Sequence, residues 1–241
     1  MSSDETPSHQ SALFDAALRG DARVVDALLQ AGAQVNARHP DNQWTALMMA
    51  AAFDHAPVIS RLLSEPDVDL NATADRGQTA LHIAAERGSE AAADALLQQP
   101  SLKVNAKDQR GWTPLIWATF GNQLGVLRAL LARPEVRVNL VDNDRQTAMH
   151  WAVLADHLEA ARELLNRREL NLGITNRPGH HTPLDLARLL DHAALVTLLE
   201  ASEDRFGPDE LAPDDSYPPP AGDSAARPPI TRSIPDPPRW R

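Results

Sequence analysis

Cysteine is missing from all 241 residues, which excludes a disulfide framework and any zinc site built on thiolates and leaves the redox compartment undetermined. Positive charge is short: 23 lysines and arginines stand against 33 acidic residues, a formal net charge of −10. Nucleic-acid modules need a basic face to displace counterions, so nucleic acid is not an expected partner. Lysine itself occurs only at Lys103 and Lys107. No window approaches the eighteen or so consecutive apolar residues of a membrane helix, and the start, "MSSDETPSHQ", lacks a basic segment followed by an apolar one. The expectation is a cytoplasmic protein with no membrane partner. Aromatics make up only 4%, yet two tryptophans and a phenylalanine crowd into "GWTPLIWATFGN" at 111–122. What the chain has in quantity is aliphatic side chain: with 43% hydrophobic residues it can bury a sizeable core.

That hydrophobic content is periodic. "TALMMAA" begins at Thr45, "TALHIAA" at Thr79, "TPLIWAT" at Thr113 and "TAMHWAV" at Thr147, each 34 residues after the last. A weaker "SALFDAA" starts 34 earlier at Ser11, and "TPLDLAR" 35 later at Thr182, giving six units. Leu13, Leu47, Leu81, Leu115, Met149 and Leu184 fall two residues after each Ser or Thr. Ala16, Ala50, Ala84, Ala118, Ala152 and Ala187 come three further on, so both positions share one face of a short helix. Gly20, Asp54, Gly88, Asn122, Asp156 and Asp191 follow at the point where a left-handed residue ends a helix. A second apolar run ends in a leucine pair in five of the units, and Pro66, Pro100 and Pro134 lie just beyond it as stops. Each unit therefore reads as a helical hairpin. Segments such as "NATADRGQ", "NAKDQRGW" and "NLVDNDRQ" between hairpins suit projecting β-turn fingers.

These residues resemble the ankyrin repeat family, through the "T-P-L-H-x-A" signature, the helix–turn–helix and the β-turn connection, over about residues 8 to 201. The resemblance implies an all-α ankyrin-repeat solenoid whose fingers and first helices line a concave groove. The expected organisation is a disordered N-terminus at 1–10, a repeat domain at 11–201 and a disordered tail at 202–241. The units run 11–44, 45–78, 79–112, 113–146, 147–181 and 182–201. The units are longer than the family's usual period, and the signature histidine stands only at His82 and His150. Arg145 replaces the glycine found at Gly77 and Gly111, so a differently shaped fourth finger is expected. Glu200 in place of a second leucine marks a C-terminal cap, and Asp15 and Arg19 suit an N-terminal one. The tail holds ten of the nineteen prolines, is acidic at 203–215 and arginine-rich around Trp240 at its end.

No phosphate loop, nucleophile–base spacing or metalloprotease helix is present, so no catalytic residue, metal or cofactor is assigned. His55, His157 and His192 share one register and read as residues that begin the second helix and bond to backbone. The histidines of "GHH" at 179–181 read as a solvated, inserted fingertip.

Register separates the crowded aromatics. Trp117, in line with Met49, Ile83, Trp151 and Leu186, is core. Trp112 precedes the signature threonine, where other units place Trp44, Gln78, Gln146 and His181; that variability predicts a solvent-facing site at a finger's base. Phe120 stands in line with Leu18, Ala52, Glu86, Leu154 and Leu189, a position the resemblance places on the groove, and Phe53 is one position further along. The expected contact surface has Trp44, Phe53, Trp112 and Phe120 as anchors and Arg76, Arg87, Gln109, Arg110, Asp144 and Gln146 as rim. The alternative is that the tryptophans pack over neighbouring fingers and the phenylalanines tuck between helices. The expected function is a non-catalytic module, monomeric when free, that binds a protein or peptide as an inhibitor, immunity or adaptor protein. A tail-regulated scaffold, a secreted bacterial effector acting on a host protein, and an enzyme presenting a cleft are the other readings.

Overall fold

The computed structural model describes residues 9–203 apart from 178, and among them there are twelve helices and no strand. They come in six pairs: α1 (His9–Arg19) with α2 (Ala22–Gln30), α3 (Ala46–Ala52) with α4 (Ala56–Leu63), α5 (Ala80–Arg87) with α6 (Glu90–Leu97), α7 (Pro114–Phe120) with α8 (Leu124–Leu131), α9 (Ala148–Leu154) with α10 (Leu158–Leu164), and α11 (Pro183–Leu189) with α12 (Ala193–Glu203). The disordered ends expected at 1–10 and 202–241 lie outside the described residues, but for the few that α1 and α12 include.

The helix starts follow from the signature. Thr45, Thr113, Thr147 and Thr182 turn their hydroxyls onto the amide three residues on, satisfying one of the donors a helix N-terminus leaves open. Pro114 and Pro183 sit in the first turn, where a missing N–H costs nothing. The first helices end as expected: Gly20, Asp54, Gly88, Asn122, Asp156 and Asp191 all have φ between 50° and 78°. The next amide then folds back onto the carbonyl of the signature alanine, as His55 N does on Ala50 O at 2.9 Å and Gln123 N on Ala118 O at 2.8 Å. The alanines at 16, 50, 84, 118, 152 and 187 are buried, which lets neighbouring helices approach closely.

The chain divides into two compact units, one up to Arg137 and one from Val138. In the first, α1, α3, α5 and α7 pack side by side in one row and α2, α4, α6 and α8 in another. The second repeats the arrangement with α9 on α11 and α10 near α12. Histidine stitches successive pairs as expected: His55 Nε2 lies 3.0 Å from Leu18 O, and His192 Nδ1 lies 3.0 Å from Val153 O. Gly20 is glycine for that reason too, since a Cβ there would sit 2.6 Å from the His55 ring.

A second stitch carries no mark of its own in the repeat signature. Asn36, Asn71 and Asn105 in the first unit, and Asn139 in the second, each donate their amide to a carbonyl of the next loop and accept from an amide two residues further on. Asn71 reaches Ser101 O at 3.0 Å and takes Lys103 N at 2.8 Å; Asn139 does the same with Glu169 O and Asn171 N. In these four finger segments the opening asparagine is thus a clip between loops, whereas Asn171 in the fifth accepts from Gly173 N at 2.8 Å within its own turn.

The fourth finger corrects an expectation. Arg145 adopts φ 57°, where Gly77 and Gly111 have 75° and 76°. Its turn closes as theirs do, with Asp142 N on Gln146 O at 3.0 Å against Asp108 N on Trp112 O at 2.9 Å. The surrounding hydrogen bonds hold the finger's shape, and the strain falls on the arginine backbone. Left-handed backbone costs a non-glycine residue about 1–2 kcal/mol, and glycine's extra chain entropy returns part of that. Arg145→Gly is therefore expected to raise the stability of the second unit by about 0.5–1 kcal/mol in urea unfolding. A neutral or destabilising result would mean the arginine side chain supplies a compensating contact.

Candidate functional site

In the first unit the crowded aromatics form a stack rooted in one carboxylate. Asp108, buried on the third finger, accepts from the backbone amides of Arg110 at 2.9 Å and Trp112 at 2.8 Å with one oxygen, and from the Trp117 indole at 2.9 Å with the other. Trp117 is core, as expected. The Trp112 ring lies edge-on to Trp117, with centroids 4.6 Å apart, and edge-on to Phe120 at 5.1 Å. The Arg110 guanidinium covers Trp112 at 5.4 Å from the ring centre.

Trp112 is therefore not solvent-facing: it is 2% exposed, and Trp44 in the same register is 7% exposed. The reason lies eight residues on. In two units the side chain before the signature threonine meets the residue eight further on: the Trp112 ring packs on Phe120, and Gln78 donates to the Glu86 carboxylate at 3.2 Å. Both tryptophans are buried, Trp112 on the Trp117 and Phe120 rings of the helix that follows it, while Phe53 remains exposed and Phe120 half-buried.

Phe53 caps α3, whose seven residues are all buried, and is itself 50% exposed; its ring stacks on His55 at 6.1 Å. Phe120 ends α7 after six buried residues and is half-buried. Leu18, at the same point on α1, is 43% exposed. Leu18 was legible in the repeat register as the equivalent of Phe120, but an aliphatic residue in a terminal unit did not single itself out.

The expected rim divides. Arg76, Arg87, Gln109 and Arg110 are all exposed. Gln109 also clips two fingers together, its backbone N on Arg76 O at 3.0 Å and its side-chain amide on Asp75 O at 2.6 Å. Asp144 and Gln146 belong to the second unit. There Asp144 is exposed and its carbonyl accepts from Arg177 N at 2.8 Å, while Gln146 is half-buried with its Oε1 enclosed and without a partner. Asp142 holds the Trp151 indole at 2.9 Å and the amides of Asp144 and Gln146, repeating the Asp108 arrangement; burial pushes its carboxyl up against those three bonds.

The signature histidines are structural. His82 Nδ1 accepts from Thr79 N at 3.1 Å and Nε2 donates to Trp112 O at 3.1 Å; His150 bridges Thr147 N and His181 O in the same way. Burial pushes both below the usual histidine value, His150 to about 4. At the fifth fingertip His180 is exposed in the left-handed region and His181 is half-buried. Among the described residues no group of three or more His, Asp or Glu side chains is placed to hold a metal ion, and no helix is long and apolar enough to cross a membrane.

Comparison with known families agrees with this architecture. A model of ankyrin repeats (3 copies) matches residues 58–142, one of ankyrin repeats (many copies) matches 28–84, and one of the single ankyrin repeat matches 8–40 and again 144–177. No curated protein matches the chain.

Proposed function

The chain belongs to the ankyrin repeat family, whose members are generally protein–protein interaction modules, and from that premise we propose that it is a non-catalytic cytoplasmic module binding a protein or peptide along its fingers and first helices. One observation carries the reading. Phe53 and Phe120 reach the surface at the ends of helices whose other residues are buried. Large apolar side chains held rigidly beside exposed arginines are what binding hot spots are made of. The helices and the Asn and His stitches behind them keep the surface from rearranging, so little ordering entropy opposes binding. An inhibitor that plugs a partner's active site and an adaptor that merely holds it use the same surface; the partner's activity in the complex separates them.

The test substitutes the two phenylalanines and leaves Trp44 and Trp112 alone, since truncating buried tryptophans would disturb the fold. Phe53→Ala and Phe120→Ala are each expected to weaken a captured partner at least tenfold, about 1.4 kcal/mol or more. Far-UV circular dichroism should stay unchanged. Unaltered affinity in the double variant would place the contact elsewhere.

A further inference from the structure

The charge on the second and third fingers points to a class of partner. The whole chain is acidic, at −10, yet the exposed charged residues of 71–78 and 105–112 are Arg76, Lys107 and Arg110 against Asp75 alone. Both lysines of the chain, Lys103 and Lys107, stand at the third finger and are exposed. A cationic strip on a chain of net negative charge favours acidic ligands at that strip, which sets orientation as well as encounter rate.

Beside the strip sits an apolar step. The Arg110 guanidinium and the Phe120 ring flank the same indole, 5.4 Å and 5.1 Å from its centre, with Trp112 sealed between them. The two groups therefore lie within roughly 10 Å of each other, about two or three residues of extended chain at about 3.3 Å each. We propose that this surface takes an acidic, aromatic-containing segment of a partner protein: a carboxylate pairs with the planar fork of Arg110, and an aromatic side chain two or three residues away packs on Phe120. Arginine suits this place better than lysine, because it can donate two parallel hydrogen bonds to a carboxylate while its face stays on the tryptophan. The assignment rests on the docking reading above and narrows it.

Fluorescence anisotropy on the full-length protein tests it with three labelled peptides: one repeating Asp-Ala-Phe-Ala, which sets each carboxylate two residues from an aromatic ring on the same face of an extended chain, one with lysine for aspartate, and one with alanine for phenylalanine. The first is expected to bind at least tenfold tighter than either control, and added salt should weaken it. Arg110→Glu, a surface change checked by circular dichroism, should abolish that preference, and Arg110→Lys should retain part of it. Equal binding of the aspartate and lysine peptides, or an Arg110→Glu variant that binds as the parent does, overturns the assignment. The two readings fail separately. If Phe53→Ala with Phe120→Ala loses a captured partner while the acidic peptide shows no preference, the docking surface stands and the acidic class falls. If neither responds, both fall.

Discussion

Asp108→Ala is expected to destabilise the first unit by about 4 kcal/mol, the largest effect of any single substitution considered for this chain. The carboxylate accepts three bonds in a buried site, from Arg110 N, Trp112 N and the Trp117 indole. Hydrogen bonds to a charged acceptor contribute about 1.5–3 kcal/mol each, and a buried indole N–H left without a partner adds about 1–3 kcal/mol of desolvation that nothing offsets. The losses overlap because one side chain makes all three, which brings the total down to the value given. Asp108→Asn keeps a carbonyl oxygen but loses one acceptor, so it should fall between, at about 1–2 kcal/mol. Chemical denaturation followed by tryptophan fluorescence reads both changes, and the parent's low indole exposure should rise in the alanine variant.

The second finger shows how the cost can be relieved. Where the third and fourth fingers place Asp108 and Asp142 and their helices place Trp117 and Trp151, the second places Ala74 and Ile83, both buried. Aspartate and tryptophan occur together, as do alanine and isoleucine. A double-mutant cycle of Asp108→Ala with Trp117→Ile should therefore show a coupling of at least about 1 kcal/mol, the second substitution removing the donor that the first left stranded. Strict additivity would mean that the Trp117 indole finds another acceptor. Because Trp112 hangs from the same carboxylate, the alanine variant should also loosen the step between Arg110 and Phe120 and weaken binding there.

The repeat frame was legible because a fixed period puts chemically similar residues at equal places. The left-handed residues at 20, 54, 88, 122, 156 and 191, the buried alanines and the backbone-bonding histidines at 55 and 192 all follow from it. What differs between units was harder to read. Variety among its equivalents predicts an exposed Trp112, yet its ring is enclosed by Trp117 and Phe120, five and eight residues on, which the column of equivalents does not reveal. The Asp–Trp pairs at 108 and 117 and at 142 and 151 recur with a spacing of nine, a signal carried by two positions together and by neither alone. Arg145 was misjudged for the opposite reason: local propensity argued for a new shape, and the hydrogen bonds of the finger overrode it.

Acidification should begin to destabilise the protein above the pH range in which its carboxylates titrate. His150 is buried, its Nδ1 against Thr147 N and Oγ1 and its Nε2 donating to His181 O, so a second proton would place a charge in a site that burial keeps from water. Its folded value is about 4, set by burial first, against 6.5 for the free side chain. Between those values the unfolded chain binds a proton that the native state refuses, so stability falls as pH falls, by about 1.4 kcal/mol per pH unit for each such histidine. The contribution is whole above pH 6.5 and is lost by about pH 4, a total of about 3 kcal/mol from His150 alone. His82 in the first unit is shifted in the same direction by burial and adds to the slope. Asp142 works the other way, since burial raises its carboxyl and favours the native state as pH drops, but it acts nearer the free aspartate value of 3.8. Asp185 and Glu169, held low by Thr182 and Arg167, lose their contribution only below the free carboxylate values. The midpoint of thermal or urea unfolding should therefore drop steeply from pH 6.5 to about 4.5, with the two histidines carrying the change. His150→Gln should cost stability at neutral pH and flatten the curve by one proton's slope, which separates titration from mere loss of packing. Arg145→Gly should flatten it slightly as well, because the arginine's charge helps hold His150 unprotonated. A curve as steep in His150→Gln as in the parent would assign the acid sensitivity to the carboxylates instead.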